Sequence, residues 1–379
     1  TDTGACSNMA ASKGSIVLTG ANGSLGRAIV SNIVSSPEFA HYHGVYTVRN
    51  TATATELGDV LQAQKMAHSH KHDIMTLDLS SLASVREFAA KFNNAVAEGQ
   101  IPPIRVLILN AGWQEFKTQT WTEDGFDMAF MINYLGHWLL TMLLLQSMDR
   151  ESGRIVVVGS LAHDPYAKQN NSGGQFADPK WKVIIQDGTE AVAKGTWSTT
   201  KDDPSWCAGF RRYGAAKLCE LMMMTELQSR LFADPVLNNI SVYGVDPGTM
   251  PSNLVRRGPW AMRVLLFQII MPLFAGWMVR LSPNGPLRTP QKSARDVLAA
   301  AFRTGPISAL YFDGSAPAEM GAEAQDREKQ RLLWKETLEY TGLKGSETAL
   351  VSWPCPEPCD EEELHDRLRR LEEEVDSTC

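Results

Sequence analysis

Near its N-terminus the chain reads Ser15-Ile-Val-Leu-Thr-Gly-Ala-Asn-Gly-Ser-Leu-Gly26. The β-branched start of this stretch predicts a short strand, and a helical spacing of apolar residues begins at Leu25. A glycine-rich turn between a strand and a helix lets the backbone approach a pyrophosphate at the positive N-terminus of the helix. The stretch therefore predicts a dinucleotide site. Its candidate cofactor-binding residues are Gly20, Asn22, Ser24, Leu25 and Gly26.

Strand and helix patterns alternate through the rest of the chain. The run Arg105-Val-Leu-Ile-Leu109, which is apolar after its first residue, is typical of a strand that is buried on both faces. This alternation predicts an α/β fold, a Rossmann-type doubly wound parallel sheet with right-handed crossovers. Strands are predicted at 15–19, 44–48, 74–77, 105–109, 154–158 and 240–245, and helices at 84–92, 128–148 and 213–231.

Composition excludes several classes of protein. The 379 residues are 44% hydrophobic and 21% charged, which is ordinary for a globular protein with a sizeable core. The formal net charge of −7 provides no basic face for nucleic acid. Six scattered cysteines are too few for a disulfide scaffold and suit a reducing compartment. We expect no metal centre, and the polar residues 1–15 lack the apolar region of a secretory signal, so a cytoplasmic location is expected.

The residue after the second predicted strand favours one cofactor over the other. An acidic residue that could bind a ribose 2′-hydroxyl is absent there, and Val48 is followed by Arg49 and Asn50. An arginine in this place can pair with a 2′-phosphate. The sequence therefore favours NADPH/NADP+ over NADH, with Arg49 as a cofactor-binding residue.

Tyr213 and Lys217 are four residues apart on a predicted helix, so they share one face. A nearby ammonium favours the phenolate, and we expect Lys217 to lower the pKa of Tyr213 from its usual value of about 10. A tyrosine with such a pKa can exchange a proton with a substrate oxygen near neutral pH. The pair predicts a proton-transfer site.

Taken together, these motifs resemble the short-chain dehydrogenase/reductase family, and within it the retinol-dehydrogenase-like branch. The resemblance runs from about residue 15 to about residue 343, and the motifs follow the order of the family. They are the glycine turn 19–26, Leu77-Asp78-Leu79, Leu109-Asn110-Ala111-Gly112, Asn133 to His137, Arg154 to Ser160, Tyr213 with Lys217, and Asp246-Pro247-Gly248 with Ser252.

The resemblance implies a role for each of four catalytic residues. Tyr213 would be the general acid in carbonyl reduction and the base in the reverse direction. Lys217 would lower its pKa and hydrogen-bond the nicotinamide ribose, and Ser160 would stabilise charge on the substrate oxygen. Asn133 would hold a water that links Lys217 to solvent. The further cofactor-binding residues implied by the resemblance are Asp78, Leu79, Asn110, Ala111, Gly112, Tyr213, Lys217, Pro247, Gly248 and Ser252.

The domain organisation follows from the extent of the resemblance. We expect a flexible segment at 1–14, one short-chain dehydrogenase/reductase domain at 15–345, and an acidic tail at 346–379 with a one-sided helix. The apolar segment 260–281 is shorter than the ~20 residues that span a bilayer. It is interpreted as a substrate-covering helix, with core packing and a peripheral membrane contact both left open.

Two features depart from the pattern of the family. Ser24 replaces the middle glycine of the cofactor turn, and its hydroxyl can itself bind phosphate. The gap between Ser160 and Tyr213 is unusually long, so residues 161–212 are interpreted as a lid-like insertion beside the substrate pocket. On this interpretation, trimming residues 165–205 changes the substrate range and spares NADPH binding.

The leading functional prediction is an NADPH-dependent oxidoreductase that reduces a carbonyl, or oxidises the alcohol, of a bulky apolar substrate. Reduction of an activated C=C bond is an alternative within this class. A cofactor-binding scaffold or a non-redox cyclase on the same fold is the alternative from another class. The resemblance also implies a homodimer, through helices 128–148 and 213–231.

Overall fold

Eight strands form one sheet in the computed structural model, which describes residues 12–63, 70–258, 264, 269, 271–303 and 310–351. The strand order is 3-2-1-4-5-6-7-8, and all pairs are parallel except the last. The strands are β1 (Ser15–Leu18), β2 (His43–Val48), β3 (His72–Thr76), β4 (Ile104–Leu109), β5 (Arg154–Val158), β6 (Ser241–Asp246), β7 (Tyr311–Asp313) and β8 (Ala316–Pro317). The predicted Rossmann-type sheet is confirmed.

Helices cover both faces of this sheet. The longer ones are α1 (Ser24–Ser35), α2 (Thr55–Ala63), α3 (Leu82–Ala97), α4 (Met128–Ser147), α5 (Trp206–Ala233), α6 (Met271–Leu281), α7 (Pro290–Ala301) and α8 (Arg327–Thr341). Helices α1, α2 and α7 pack on one face, and α3, α4, α5 and α8 lie on the other. Central strands such as β4 are apolar on both sides because both faces are covered.

Helix α5 begins earlier than the sequence pattern indicates. Ser205 caps it, because its side chain accepts a hydrogen bond of 3.2 Å from the Cys207 N–H. The helix therefore starts at Trp206, seven residues before Tyr213. The last part of the segment interpreted as an insertion, 161–212, belongs to this helix.

Helix α4 has the length and apolar composition to cross a membrane, yet 94% of its most apolar window is buried inside the protein. Its outer side contacts α8, where Trp138 and Trp334 pack edge to face at 5.2 Å. Tyr134 and Thr337 join the same two helices by a 2.6 Å hydrogen bond. The apolarity of α4 is therefore satisfied within the core.

Residues 161–205 pack onto the body of the protein instead of projecting from it. The buried Ile184 and Ile185 belong to the same core cluster as α4 and α5. Their backbone N–H groups donate to the carboxylate of Glu323 at 2.9 Å. The Thr189 N–H donates to Glu336 of α8 at 2.7 Å. The segment is thus anchored at several points along its length.

Some predictions fall wholly or partly outside the described residues. They concern most of the N-terminal segment 1–14, the tail beyond residue 351, and most of the segment 260–270. The described end of the apolar segment forms α6, whose large apolar side chains are exposed. Relative exposures are 72% for Leu273, 53% for Phe274, 59% for Trp277 and 65% for Leu281.

Candidate active site

A single cleft lies along the carboxyl ends of the parallel strands, where open α/β sheets bind their ligands. It encloses about 1110 Å³, somewhat more than the 300–1,000 Å³ that is typical of a single small-molecule pocket, which leaves room for two ligands. Every predicted cofactor-binding residue lines this cleft, and so do Ser160, Tyr213 and Lys217. The sequence had placed these residues in six separate motifs.

The glycine turn is shaped for a close backbone approach. Gly20 has a φ of +67°, and a Cβ there would lie 2.8 Å from the Cα of Ala111. A Cβ on Gly26 would lie 2.4 Å from the carbonyl oxygen of Gly20. Helix α1 begins next to this turn without a side-chain cap and without an acidic residue in its first turn. Such a helix end offers backbone N–H groups to an anion, so the turn fits a dinucleotide pyrophosphate.

Ser24 connects the glycine turn to the opposite wall of the cleft. Its hydroxyl oxygen accepts a 3.2 Å hydrogen bond from the backbone N–H of Asn253. Asn253 begins a short 3₁₀ helix, Asn253–Arg257, whose arginines lie over the Trp113 ring. The guanidinium of Arg257 is 3.5 Å from the ring centroid. The departure from the family glycine therefore forms a bridge across the cleft.

Arg49 and Arg256 together make one end of the cleft positive. Both side chains line it, and Arg49 repels Arg256 electrostatically. Burial, followed by this repulsion, lowers the pKa of Arg256 below its ordinary value. Two neighbouring guanidinium groups are suited to a phosphate group, which can accept hydrogen bonds from both.

The other end of the cleft holds Ser160, Tyr213 and Lys217. Tyr213 is 7% exposed, and Ser160 lines the cleft with it and acts to lower the pKa of its phenol. The Lys217 ammonium lies 5.9 Å from the Tyr213 ring centroid and donates to the Val158 carbonyl at 2.8 Å. The structure thus brings together three of the four predicted catalytic side chains.

Lys217 acts to lower the pKa of Tyr213, as predicted, but the net direction is the opposite. Burial raises the pKa of Tyr213 above its ordinary value, and this effect exceeds the opposing effects of Lys217 and Ser160. Glu220 and Asp246 raise the pKa further, because their negative charges disfavour the phenolate. Lys217 is therefore only one of several charges that act on Tyr213, and the carboxylates around it act in the opposite direction.

The Asn133 side chain does not line the cleft. Its residue lies in a π-helical turn, Met131–Leu135, inside α4, and such turns are frequent at functional sites. The side-chain oxygen accepts from the Trp113 N–H at 3.0 Å, and the amide nitrogen donates to the carbonyls of Trp113 and Ala129. The amide therefore holds the loop after β4, and its predicted water-binding role stays a prediction.

Sequence reasoning missed two buried groups next to Lys217. Glu220 accepts a 2.6 Å hydrogen bond from the Lys217 ammonium, and His137 on α4 contacts the same carboxylate at 3.3 Å. Glu220 follows Lys217 by three positions, and helix spacing could have indicated that pair. The partner on α4 depends on tertiary packing, so the sequence carried no signal for it.

The substrate side of the cleft has an aromatic wall. Trp206 and Phe210 project from the first turns of α5 and pack edge to face at 5.9 Å, and Phe116 lines the cleft with them. Trp181 and Trp197 of the segment 161–205 do not line the cleft and pack edge to face against each other at 5.4 Å. The segment 161–205 contributes mainly polar side chains near the cleft, among them Gln169, Asn170 and Gln175.

The chain is similar to known proteins along most of its length. A family model described as short chain dehydrogenase matches residues 15–171. The short-chain dehydrogenase iccH of Talaromyces variabilis is 46% identical, over 90% of this chain and 99% of the relative. The polyprenol dehydrogenase of Mus musculus is 31% identical, over 75% of this chain and 72% of the relative. Protochlorophyllide reductase A of Arabidopsis thaliana is 27% identical, over 87% of this chain and 77% of the relative.

Solved structures support the same fold. An uncharacterized protein from Mycobacterium paratuberculosis superposes with a TM-score of 0.56 at 23% identity, covering 88% of this chain and 95% of that one. The L-sorbose reductase of Gluconobacter frateurii superposes with a TM-score of 0.52 at 14% identity, covering 82% and 98%. At these identities the likeness concerns the fold alone. The predicted retinol-dehydrogenase-like branch stays a prediction.

Proposed function

The chain belongs to the short-chain dehydrogenase/reductase family, a family of nicotinamide-dependent oxidoreductases, and we propose that it is an NADPH-dependent enzyme that reduces the carbonyl group of a bulky, largely apolar substrate. One observation carries the proposal. The cleft that holds the glycine turn and Arg49 at one end holds Ser160, Tyr213 and Lys217 at the other.

The protein residues divide the chemistry between them. The Ser160 hydroxyl donates a hydrogen bond to the substrate oxygen and stabilises the negative charge that develops on it. The Tyr213 phenol transfers its proton to that oxygen. Lys217 holds its ammonium beside the phenol and stabilises the negative charge left on it. The glycine turn, Arg49 and Arg256 would hold the phosphates of the dinucleotide, which would supply the hydride when bound.

The size and lining of the cleft support an apolar substrate. Trp206, Phe210 and Phe116 offer aromatic surface that a small polar molecule would leave unburied. The name polyprenol dehydrogenase indicates a long apolar alcohol as the substrate of that relative. A bulky apolar substrate in this chain agrees with both observations.

Substrate-dependent loss of NADPH absorbance tests the proposal. We expect turnover with bulky apolar ketones or aldehydes, and a loss of at least 100-fold in Tyr213→Phe, since a positioned acid contributes about 10²–10⁴-fold. Tyr243→Phe is the matched control, because this tyrosine is equally buried but lies in β6 outside the cleft lining. Product formation in Tyr213→Phe without NADPH consumption would overturn the proposal.

The alternatives give different products. Reduction of an activated C=C bond consumes NADPH but leaves the carbonyl in the product, which mass and NMR analysis distinguish. A cofactor-binding scaffold or a non-redox cyclase would bind NADPH with no substrate-dependent oxidation. Retention of Ser160, Tyr213 and Lys217 in one cleft favours the redox reaction.

We further propose that the enzyme meets its substrate at an anionic membrane surface through α6, from the cytoplasmic side. The apolar side chains of α6 are exposed, with Trp277 among them. Residues 247–295 contain seven arginines and lysines and no acidic residue, in a chain of net charge −7. Arg288 is buried and paired with Asp313, and Lys292 is paired with Asp296, so these two do not contribute to a basic surface. Apolar surface in a basic segment is complementary to a bilayer with acidic lipids.

Vesicle sedimentation tests this membrane contact. We expect binding to vesicles with phosphatidylserine, weaker binding to phosphatidylcholine alone, and a loss of at least tenfold when Leu273 and Trp277 are both changed to Gln. Val183→Gln, at an exposed apolar residue of another segment, is the control. Self-association of the parent that the double variant abolishes, without vesicle binding, would instead assign α6 to a homodimer.

A further inference from the structure

A carboxylate lies fully buried behind the proposed catalytic lysine. Glu220 is one turn after Lys217 on α5, with a relative exposure of 0%. One of its oxygens, Oε2, accepts the 2.6 Å hydrogen bond from Lys217 Nζ. The other, Oε1, lies 3.3 Å from Nδ1 of His137 on α4. A buried charge is costly unless it is paired and hydrogen-bonded, so this arrangement needs a reason.

The hydrogen-bond pattern around His137 assigns its tautomer. The Thr19 hydroxyl oxygen accepts from the backbone N–H groups of residues 110 and 111, at 2.8 and 3.0 Å. With both acceptor positions filled, this hydroxyl donates its hydrogen, and His137 Nε2 at 3.0 Å is nearer than the Ile108 carbonyl at 3.3 Å. His137 then carries its own hydrogen on Nδ1, which donates to the Asn133 carbonyl at 3.2 Å. Glu220 Oε1 lies 3.3 Å from the same nitrogen but accepts no hydrogen bond among the described residues, so the Lys217 ammonium is the hydrogen-bond donor to this carboxylate.

We propose that Glu220 is a positioning residue that fixes the Lys217 ammonium against the back of the cleft and offsets its charge, so that the Tyr213 phenol keeps the proton that the reduction direction uses. The ammonium has three N–H groups. Val158 and Glu220 accept two of them, and one remains for the cleft. The inference rests on the proposed function, because it concerns the proton donor of that reaction.

The charge balance explains the effect on the phenol. An ammonium without a counter-ion would favour the phenolate, whereas Glu220 offsets much of that charge. Burial would lower the pKa of Lys217, but Glu220 and Tyr213 raise it above its ordinary value. The pKa of Tyr213 also stays above its ordinary value. At neutral pH the phenol therefore carries the proton that reduction needs, and only at higher pH can it accept one from an alcohol.

Other charged and titratable groups face this centre and set the background for the comparison. Asp246 at the end of β6 raises the pKa values of both Tyr213 and Lys217, and burial raises its own. Tyr311 of β7 lies near Asp246 and Tyr213. These groups are unchanged in a Glu220 variant, so a difference from the parent isolates the carboxylate.

Phenol titration of the cofactor-free protein provides the test. The absorbance change of tyrosine ionisation is measured in the parent and in Glu220→Gln, each against its own Tyr213→Phe derivative. We expect the Tyr213 midpoint to move to lower pH in Glu220→Gln. Glu226→Gln is the matched control, because Glu226 forms an equally buried pair with Arg230, at 2.7 Å, two turns further along α5. It should leave the midpoint in place.

Activity then provides an independent readout. Each pH unit of downward shift raises the phenolate fraction about tenfold, so the pH profile of alcohol oxidation should move to lower pH in Glu220→Gln by the same amount as the midpoint. The NADPH dissociation constant should stay within about twofold, because the glutamine oxygen still accepts from Lys217. Glu220→Leu provides a second neutral side chain if the glutamine variant fails to fold, and it should shift the midpoint in the same direction.

The outcomes separate the two proposals. An unchanged midpoint in both neutral variants, or an equal shift in Glu226→Gln, overturns the role of Glu220 whatever the substrate is. If the midpoint shifts but no carbonyl compound drives NADPH oxidation, the proposed function is overturned. The role of Glu220 then still stands.

Discussion

Replacing Lys217 by methionine should lower the free energy of unfolding as well as abolish activity. The stability falls because the substitution leaves a buried carboxylate without its cation. Lys217 and Glu220 are 3% and 0% exposed, and their polar atoms are 2.6 Å apart. Removing one partner of such a pair costs about 3–5 kcal/mol. Native domains are stable by about 5–15 kcal/mol, so the loss is a large fraction of the total.

Urea unfolding followed by circular dichroism measures this cost. We expect Lys217→Met to lower the free energy of unfolding by about 3–5 kcal/mol at neutral pH. Lys180→Met removes a lysine that is 60% exposed and 3.6 Å from Asp178, and this control should change stability by less than about 0.5 kcal/mol.

A double variant provides the decisive comparison. Lys217→Met combined with Glu220→Leu replaces the whole pair by apolar side chains, and such replacements are often neutral or stabilising. The double variant should therefore recover most of the stability that the single variant loses. The reasoning is refuted if Lys217→Met unfolds within about 1 kcal/mol of the parent, or if the double variant is no more stable than the single one.

Three further substitutions test the ends of the cleft. Arg49→Ala should reduce the ratio of kcat/KM with NADPH to kcat/KM with NADH by roughly 10–100-fold, because charged hydrogen bonds contribute about 1.5–3 kcal/mol. Arg86→Ala is the control, because Arg86 lies outside the cleft, and it should leave this ratio unchanged. Ser24→Gly removes the acceptor for the Asn253 N–H and should weaken NADPH binding about fivefold in a fluorescence titration; an unchanged dissociation constant would show that the bridge does not support the cofactor. Phe210→Ala should raise KM for apolar substrates about tenfold and leave the NADPH dissociation constant unchanged; equal effects on both would place Phe210 against the cofactor.

The fold could be predicted because its signals are local. The strand 15–19, the glycines after it and the mostly apolar run 105–109 each specify their own element, and the alternation of elements specifies a parallel sheet. Boundaries were less accurate. The start of α5 depends on the Ser205 cap, which lies within a polar segment that has no helical periodicity.

The residues of the site were predicted correctly as lining one cleft, except for Asn133, but the net pKa direction of Tyr213 was not predicted. Ser160, Tyr213 and Lys217 meet because each follows or faces the carboxyl end of a strand, and this is a property of the topology. The pKa direction of Tyr213 depends on burial and on the charges of Glu220 and Asp246. The effects of burial and of neighbouring charges on a pKa follow from three-dimensional packing. They cannot be deduced from two residues at helical spacing.

The homodimer implied by the resemblance meets a physical obstacle. It would use α4 and α5, but both helices are already covered within the chain. Nearly all of α5 is buried, and α8 and the segment 161–205 lie against it. The homodimer through these two helices stays a prediction, and it would require the covering elements to move.

The same covering changes how the segment 161–205 can be tested. Arg211 and Arg212 of α5 are buried, and each depends on this segment for hydrogen bonds. Arg211 donates to the Ser198 hydroxyl and the Gln175 carbonyl at 2.9 and 2.8 Å, and Arg212 donates to the Ser198 carbonyl at 2.8 Å. Trimming residues 165–205 would remove these acceptors and should lower stability, although Arg212 would keep Asp127 and the Thr118 carbonyl. The expected change in substrate range would then be mixed with a loss of stability, so specificity is better probed through single side chains such as Phe210.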